Sequence, residues 1–427
     1  MSERCFCCSS RRCRLTSPLH ISLSLSLSLS LSLSLSLALS RSRSLTVVNL
    51  DDCWSAKNRS ASGELVADAT KFPSGMKSLA DYVHGKGLKI GLYTCVGTKT
   101  CKGDRPGSYG HFETDAKTLA GWGVDFIKMD RCGRPNDGTT DRELYGNMSA
   151  ALNRTGRPIL FSLCQWGEQE VWEWGHAIAQ MFRIQMDHLP LWSWPGTGAG
   201  AGYGEGTREI IEWMATIDPH RYIQQFGWLD PDFLMTLFSP TMDFIASRTE
   251  YTFWSVWSAP LLVSTDIRNL ASQPNKREIL TNPEVIAVNQ DDSFTAASRL
   301  RNDSATGAQL WARDVAGGDK VVVLYNAGGK GDLLPKRIDI GVAWNELGWG
   351  LDANVTVRDL WARKVVQTGV SQCFNVSQLA ARDVRLLRLT QHARTYTSDQ
   401  NSIKIVKRKD KTRQGKERDG KESSTRS

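Results

Sequence analysis

Six aspartates stand where short apolar runs end. Asp51 and Asp52 follow LTVVNL, Asp130 closes VDFIKMD, Asp187 closes QMFRIQMD, and Asp230 and Asp232 close YIQQFGWLDPD. Tyr93 sits in a further run of this kind, KIGLYTCVG. A strand-end carboxylate pointing into a cleft stays ionised when cations and hydrogen-bond donors surround it. Lys128 lies two residues before Asp130, hence on the same strand face, and is expected to lower the Asp130 pKa. Adjacent carboxylates such as Asp51 and Asp52 can each accept hydrogen bonds from neighbouring hydroxyls. A metal site would need more ligands. Only seven His occur, none clustered with Asp or Glu at ligand spacing, so neither a metal nor a cofactor is expected. The competing reading makes Asp130 the N-cap of a following helix, and Asp187 or His188 a loop cap.

The elements that carry these residues alternate. LTVVN (45–49), KIGLYTCVG (89–97), VDFIKMD (124–130), PILFSLC (158–164), QMFRIQMD (180–187), YIQQFGWLDPD (222–232) and APLLVSTDI (259–267) read as seven strands. Between the first two, Met76, Leu79, Ala80 and Val83 fall at helical spacing, with Gly85 and Gly87 as terminators. Ala116, Leu119 and Ala120 mark one face of the next helix. Repeated strand–helix units imply a parallel sheet. Polar residues gathered at the C-terminal strand ends fit an α/β fold of the (β/α)8 TIM-barrel type, whose active site is built there. A doubly wound nucleotide-binding sheet would carry a Gly-rich phosphate turn after a strand, and GTGAGAGYGEG (196–206) has no G-x-G-x-x-G match. After residue 298 the pattern becomes short alternating strands with turns: QLWARDV, KVVVLYNAG, RIDIGVAW, VTVRDLWARKVV and VRLLRLT. That predicts a C-terminal antiparallel β-sandwich.

Of the 427 residues, 41% are hydrophobic and 23% charged, enough for a sizeable core, which excludes global disorder. The net charge of +8 is no sign of an acidic partner. Residues 1–44 carry 6 Lys/Arg against 1 Asp/Glu, residues 393–427 carry 11 against 5, and the body between them is mildly acidic at 36 against 39. The N-terminal segment (1–44) is a Leu-Ser alternation, read as the translation of a CT dinucleotide repeat rather than as a domain. The alternative is an unusual signal peptide, with Arg11, Arg12 and Arg14 before an apolar stretch and Ala38 near its end. Half of the alternating run itself is Ser, so no membrane span is expected. Residues 393–427 read as a basic disordered tail, without the interleaved aromatics of a nucleic-acid binder. The expected layout is therefore 1–44 low complexity, 45–297 barrel, 298–392 β-sandwich and 393–427 tail. Seven strand candidates are one fewer than a closed barrel needs, and the missing first strand should lie where the Leu-Ser run stands.

The motifs NLDDCW, KFPSGMKSLADYVHGKGLKIGLY, TC…PGSYGHFETDAKTLAGWGVDFIKMD, SLCQWG, LDPDFL and PLLVSTDIRNL…EVIAVNQD occur in order. Together they resemble glycoside hydrolase family 27, the melibiase or α-galactosidase family, over residues 45–390. The resemblance implies a TIM barrel followed by an antiparallel β-domain. It also implies a retaining hydrolase releasing terminal α-D-galactose through two carboxylates. Asp130 aligns with the nucleophile and Asp187 with the acid/base. Asp51, Asp52, Tyr93, Lys128, Arg183 and the Cys164-Gln165-Trp166 loop align with sugar-binding positions. Asp230 and Asp232 match the family's Asp-Pro-Asp segment, Asp232 being the expected sugar contact. Between Arg183 and Asp187 the chain departs from the common Arg-Thr-Thr-Gly-Asp, carrying Ile184-Gln185-Met186 instead. An acid needs a raised pKa, and Trp166, Trp192 and Trp194 are expected to desolvate Asp187. Bulky Gln165, where N-acetylgalactosamine-accepting members have small residues, favours a bare 2-hydroxyl and hence galactose. Trp166 is the expected stacking surface, whereas Trp122, Trp254 and Trp257 read as core.

The resemblance further pairs Cys101 with Cys132 in a disulfide. It leaves Cys53 without its usual partner, so Cys53 is expected to be unpaired or joined to an N-terminal cysteine. Cys164 and Cys373 are expected to be free thiols and Cys95 buried. Six N-x-S/T sequons, at Asn58, Asn147, Asn153, Asn302, Asn354 and Asn375, point with the disulfide to a secreted or lysosomal/vacuolar glycoprotein. The implied partner is a galactose-terminated carbohydrate, with no nucleic acid. A homodimer is compatible with the resemblance. Alternatives within the family are α-N-acetylgalactosaminidase and β-L-arabinopyranosidase. An alternative of another class is an inactive, truncated remnant, motivated by the missing first strand and the open sheet edges it would leave.

Overall fold

The computed structural model describes residues 46–194, 204–223, 227–328 and 336–392. The readings of both termini, and of most of the Gly-rich stretch after Trp194, lie outside them.

Six short parallel strands form one sheet in sequence order: β1 (Val47–Asn49), β2 (Lys89–Cys95), β3 (Phe126–Asp130), β4 (Leu160–Cys164), β5 (Met181–Arg183) and β6 (Trp228–Asp230). The helices between them are α1 (Gly75–Gly85), α2 (Phe112–Trp122), α3 (Asp141–Arg154), the single turn α4 (Val171–Trp174) and α5 (Thr207–Ile217). Each shows why it forms. The periodic residues Met76, Ala80 and Val83 of α1 are buried, and the basic surface residues face outward. Helix α3 begins with a capping box, in which Thr140 Oγ1 accepts from the Glu143 amide and Glu143 accepts from the Thr140 amide. Helix α2 ends on Gly123 at φ 83°, a left-handed position that suits glycine. After β6 come α6 (Phe244–Val256), α7 (Pro274–Leu280) and α8 (Pro283–Asn289).

Two strand expectations need correction. The run 259–267 does not join the sheet. Among the described residues its only strand pairing is with the segment beyond β6, through one isolated parallel bridge at Leu234 and Val263, in which the Leu234 amide donates to the Leu262 carbonyl and the Ser264 amide to the Leu234 carbonyl. The run 180–187 stops at Arg183, where Gln185 turns aside to donate from Nε2 to the Pro231 carbonyl, so Asp187 lies on a loop. Among the described residues, β1 pairs only with β2 and β6 only with β5, which makes the sheet a half-barrel.

The C-terminal part is antiparallel, as expected. A six-stranded sheet has the order β12-β11-β14-β9-β8-β7, and a two-stranded sheet pairs β10 with β13. The strands are β7 (Ser298–Asp303), β8 (Ala308–Asp314), β9 (Lys320–Asn326), β10 (Ile338–Ala343), β11 (Asn354–Asp359), β12 (Lys364–Val370), β13 (Cys373–Leu379) and β14 (Val384–His392). VTVRDLWARKVV, read as one strand, is a hairpin of β11 and β12 that turns at Arg363, φ 52°. Strands β7 and β13 escape the sequence reading because their residues are mostly polar, none of β7 and only Leu379 of β13 being buried.

The two layers share one core. Phe253 of α6 meets Trp311 of β8 and Tyr325 of β9 edge-on, each at 5.2 Å between ring centroids. Trp254 and Trp257 are fully buried, as expected, whereas Trp122 is only half-buried, its ring edge-on to Trp54. Trp361 donates to the Thr252 hydroxyl, and Arg248 pairs with Asp383 across the same junction.

Candidate active site

Strand register assembles the site. One rung places Cys95, Asp130 and Cys164 side by side, and the rung below it places Tyr93, Lys128 and Ser162. On the last strands Arg183 pairs with Asp230. With a side-chain period of two, both rungs face the concave side, while Ile127 and Met129 point away into the core.

Asp130 is buried and held by donors on both oxygens. Oδ1 accepts from the Trp166 Nε1 and the Arg131 amide, each at 2.8 Å. Oδ2 accepts from the Tyr93 hydroxyl at 2.9 Å. Burial pushes the Asp130 carboxyl above its ordinary range, Lys128 pulls it back, and the Asp187 charge pushes it up again. Lys128 thus acts in the expected direction, but desolvation wins and the net shift is upward. The Lys128 ammonium bonds to Asp51 Oδ2 at 2.9 Å and lies over the Tyr93 and Phe233 rings. Burial pulls it down, and Asp51 with its neighbouring carboxylates more than compensates.

Arg183 links the second cluster. Its Nη2 donates to Asp232 Oδ2 at 2.9 Å and to Asp187 Oδ1 at 3.2 Å. Burial disfavours its charge, but Asp232 and the other carboxylates leave the pKa well above its ordinary value. Asp232 has φ 78°, a left-handed conformation uncommon for a residue with a side chain. Its carbonyl accepts from Trp254 Nε1 and its carboxylate from the His188 amide, which keeps it there. Burial raises Asp230 to about 6, and its Oδ1 accepts from the Asp232 amide.

A recess opens on this concave face. Of the expected residues, Asp51, Tyr93, Lys128, Arg183 and Asp232 line it, joined by Asn49, Ser162 and Asp230. Asn49 and Ser162 were missed, although Ser162 lies two residues before Cys164 on β4 and Asn49 ends β1 two residues before Asp51, which is the signal that could have found them.

Other expected residues turn elsewhere. Asp52 accepts from the Cys53 and Lys102 amides, so it braces the loop that carries the Cys101–Cys132 disulfide, while Asp51 faces the recess. Gln165 is fully buried. Its amide donates to Asp141 at the start of α3, which places it behind the site and removes the geometric basis for its selecting a 2-hydroxyl. Trp166 meets Asp130 through its ring nitrogen, and the Arg131 guanidinium lies 5.6 Å from its ring centre, so one face is not free for stacking. Asp187 keeps 47% of its side chain exposed, because Trp166 is turned to Asp130 and Trp194 is itself exposed. Cys164 and Cys95 are buried free thiols and Cys373 an exposed one, as expected. The expectation for Cys53 rests partly on residues outside those described.

A parallel half-barrel with one carboxylate at a C-terminal strand end, a second on the loop beyond another strand, and an antiparallel β-domain behind it defines the architecture of a barrel glycoside hydrolase. The family model for alpha galactosidase A matches residues 25–291, and that for the alpha galactosidase C-terminal beta sandwich domain matches residues 305–389. The chain belongs to glycoside hydrolase family 27, the melibiases. It is 37% identical over 316 residues to an alpha-galactosidase of Oryza sativa subsp. japonica, covering 74% of this chain and 69% of that one. It is 38% identical to an alpha-galactosidase of Coffea arabica, covering 74% and 76%. The crystal structure of alpha-galactosidase I from Mortierella vinacea superposes with a TM-score of 0.77 at 32% identity, covering 88% of this chain and 93% of that one.

Proposed function

We propose that the chain is a retaining α-galactosidase that removes terminal α-D-galactose from oligosaccharides or glycoconjugates. Residues 45–297 form its catalytic part and 298–392 its β-domain. Asp130 attacks the anomeric carbon and Asp187 protonates the leaving oxygen. Asp187 then takes a proton from the water that releases the sugar. The observation that carries this reading is the unlike setting of two neighbouring carboxylates. Asp130 is buried and oriented by three donors, as a nucleophile must be. Asp187 is half-exposed, so leaving group and water can reach it in turn, and its charge acts on Asp130. Asp51, Lys128, Arg183 and Asp232 supply acceptors and donors for sugar hydroxyls around the recess.

The Cys101–Cys132 disulfide and the exposure of all six sequon asparagines support a secretory route. No helix among the described residues is long and apolar enough to cross a membrane. The test is Asp130→Asn assayed on 4-nitrophenyl α-galactoside: turnover should be abolished, and an unchanged rate refutes the assignment. Parallel assays on the α-N-acetylgalactosaminide and β-L-arabinopyranoside should show the α-galactoside to be preferred.

A further inference from the structure

His188 follows the proposed acid/base directly, is buried, and takes no part in the mechanism above. Three separate elements hold it. Its amide donates to Asp232 Oδ2 at 2.8 Å. Its Nδ1 lies 2.7 Å from the Phe233 carbonyl, and its Nε2 lies 3.0 Å from the Thr207 hydroxyl at the first turn of α5. The ring stacks on Trp254 of α6, with centroids 5.4 Å apart and planes at 28°. A carbonyl can only accept, so Nδ1 carries the proton and Nε2 accepts from Thr207. Burial keeps the ring neutral, lowering its pKa to about 4. The nearby Glu250, with Oε1 3.8 Å from Nδ1, is raised by burial to about 8, so this contact is between two neutral groups at neutral pH. The Asp187 carbonyl accepts from the Glu205 amide, and the Glu205 carbonyl accepts from Leu189, each at 2.8 Å.

These contacts matter because β5 ends at Arg183, four residues short of Asp187, so no strand ladder fixes the acid/base. We propose that His188 is a positioning residue for Asp187: its ring, pinned between α5, α6 and the segment after β6, sets where the Asp187 carboxyl meets the leaving oxygen. The proposal rests on Asp187 being the acid/base. A displaced acid costs most where the leaving group needs a proton and least where it departs unaided.

The experiment measures kcat/KM on two substrates, phenyl α-galactoside and 2,4-dinitrophenyl α-galactoside, for the parent, Asp187→Asn, His188→Leu, His188→Asn and Thr207→Val. Asp187→Asn should lose far more activity on the phenyl substrate. His188→Leu should show the same selectivity, with the phenyl substrate falling about 10- to 100-fold further than the dinitrophenyl one. His188→Asn, which keeps a donor toward the Phe233 carbonyl, and Thr207→Val should show smaller ratios of the same sign, and they serve if His188→Leu does not fold. Selective loss in Asp187→Asn with parallel losses in every folded His188 and Thr207 variant overturns the positioning role and leaves the acid/base assignment standing. Parallel loss in Asp187→Asn overturns that assignment, and the inference with it.

Discussion

Replacing Trp166 by Phe keeps an aromatic ring beside Asp130 and deletes one donor. Asp130 then keeps the Arg131 amide on Oδ1 and the Tyr93 hydroxyl on Oδ2, with the Cys164 thiol also bonded to the carboxylate. A hydrogen bond to a charged group contributes about 1.5–3 kcal/mol, and more of it is felt by the ionised carboxylate than by the neutral acid. Removing the donor therefore favours the neutral form, in the direction that burial and the Asp187 charge already push. At about 1.4 kcal/mol per pH unit, the acid limb of the kcat/KM profile should move up by about one to two pH units. The assay is hydrolysis of 4-nitrophenyl α-galactoside across that limb, compared with the parent. Activity should fall steeply on the acid side and change least on the alkaline side of the limb. Tyr93→Phe should move the limb the same way. A limb that stays in place, or moves down, refutes the claim that the Trp166 indole stabilises the ionised nucleophile.

Other substitutions test the surrounding scaffold. Arg183→Met leaves the buried Asp232 carboxylate without its cation and should destabilise the fold by about 3–5 kcal/mol in urea denaturation, besides lowering activity. Glu250 has a raised native pKa, so the native state binds more protons than the unfolded chain, and stability falls as pH rises from the ordinary Glu range toward about 8. Glu250→Gln should remove that component, gaining most over the parent near pH 8 and least at acid pH, as read from denaturation midpoints. Replacing Cys101 and Cys132 by Ser opens a bridge spanning 31 residues and should cost about 2–5 kcal/mol, with the thermal midpoint falling accordingly.

The strand-end carboxylates were legible because parallel strands this short leave their polar ends next to an apolar run, and period two then assigns the face. That logic placed Lys128 and Asp130 correctly. It failed wherever a side chain's direction depends on a partner distant in sequence. Gln165 turns to Asp141, 24 residues away, and Asp52 turns to Lys102, 50 away. Trp166 was read as a stacking surface because its neighbours in sequence do not include the Arg131 that covers it. The 259–267 run is as apolar as the true strands, yet among the described residues it pairs only through the single bridge to Leu234, beyond the end of β6. The balance at Asp130 was equally out of reach, since both terms were identifiable but their relative size depends on burial.

Two carboxylates of the same chemistry take different roles only if their settings differ, and here the difference originates in strand length. Strand β3 runs to Asp130 itself, so the ladder and three donors fix the proposed nucleophile. Strand β5 stops early, and Asp187 lies beyond the sheet, half-exposed. Without a ladder, its place comes from one backbone bridge to Glu205 and from side chains: Arg183 with Asp232 on one side, His188 with Thr207 and Trp254 on the other. Trp254 packs on Trp257 at 5.7 Å, and Trp257 on Trp311 of β8 at 5.9 Å. The support beneath the acid/base loop therefore reaches into the β-domain. Loosening this aromatic junction, as in Trp311→Leu, should therefore lower kcat/KM on phenyl α-galactoside, which needs a proton from the proposed acid/base Asp187, further than on the dinitrophenyl substrate; equal losses refute the link.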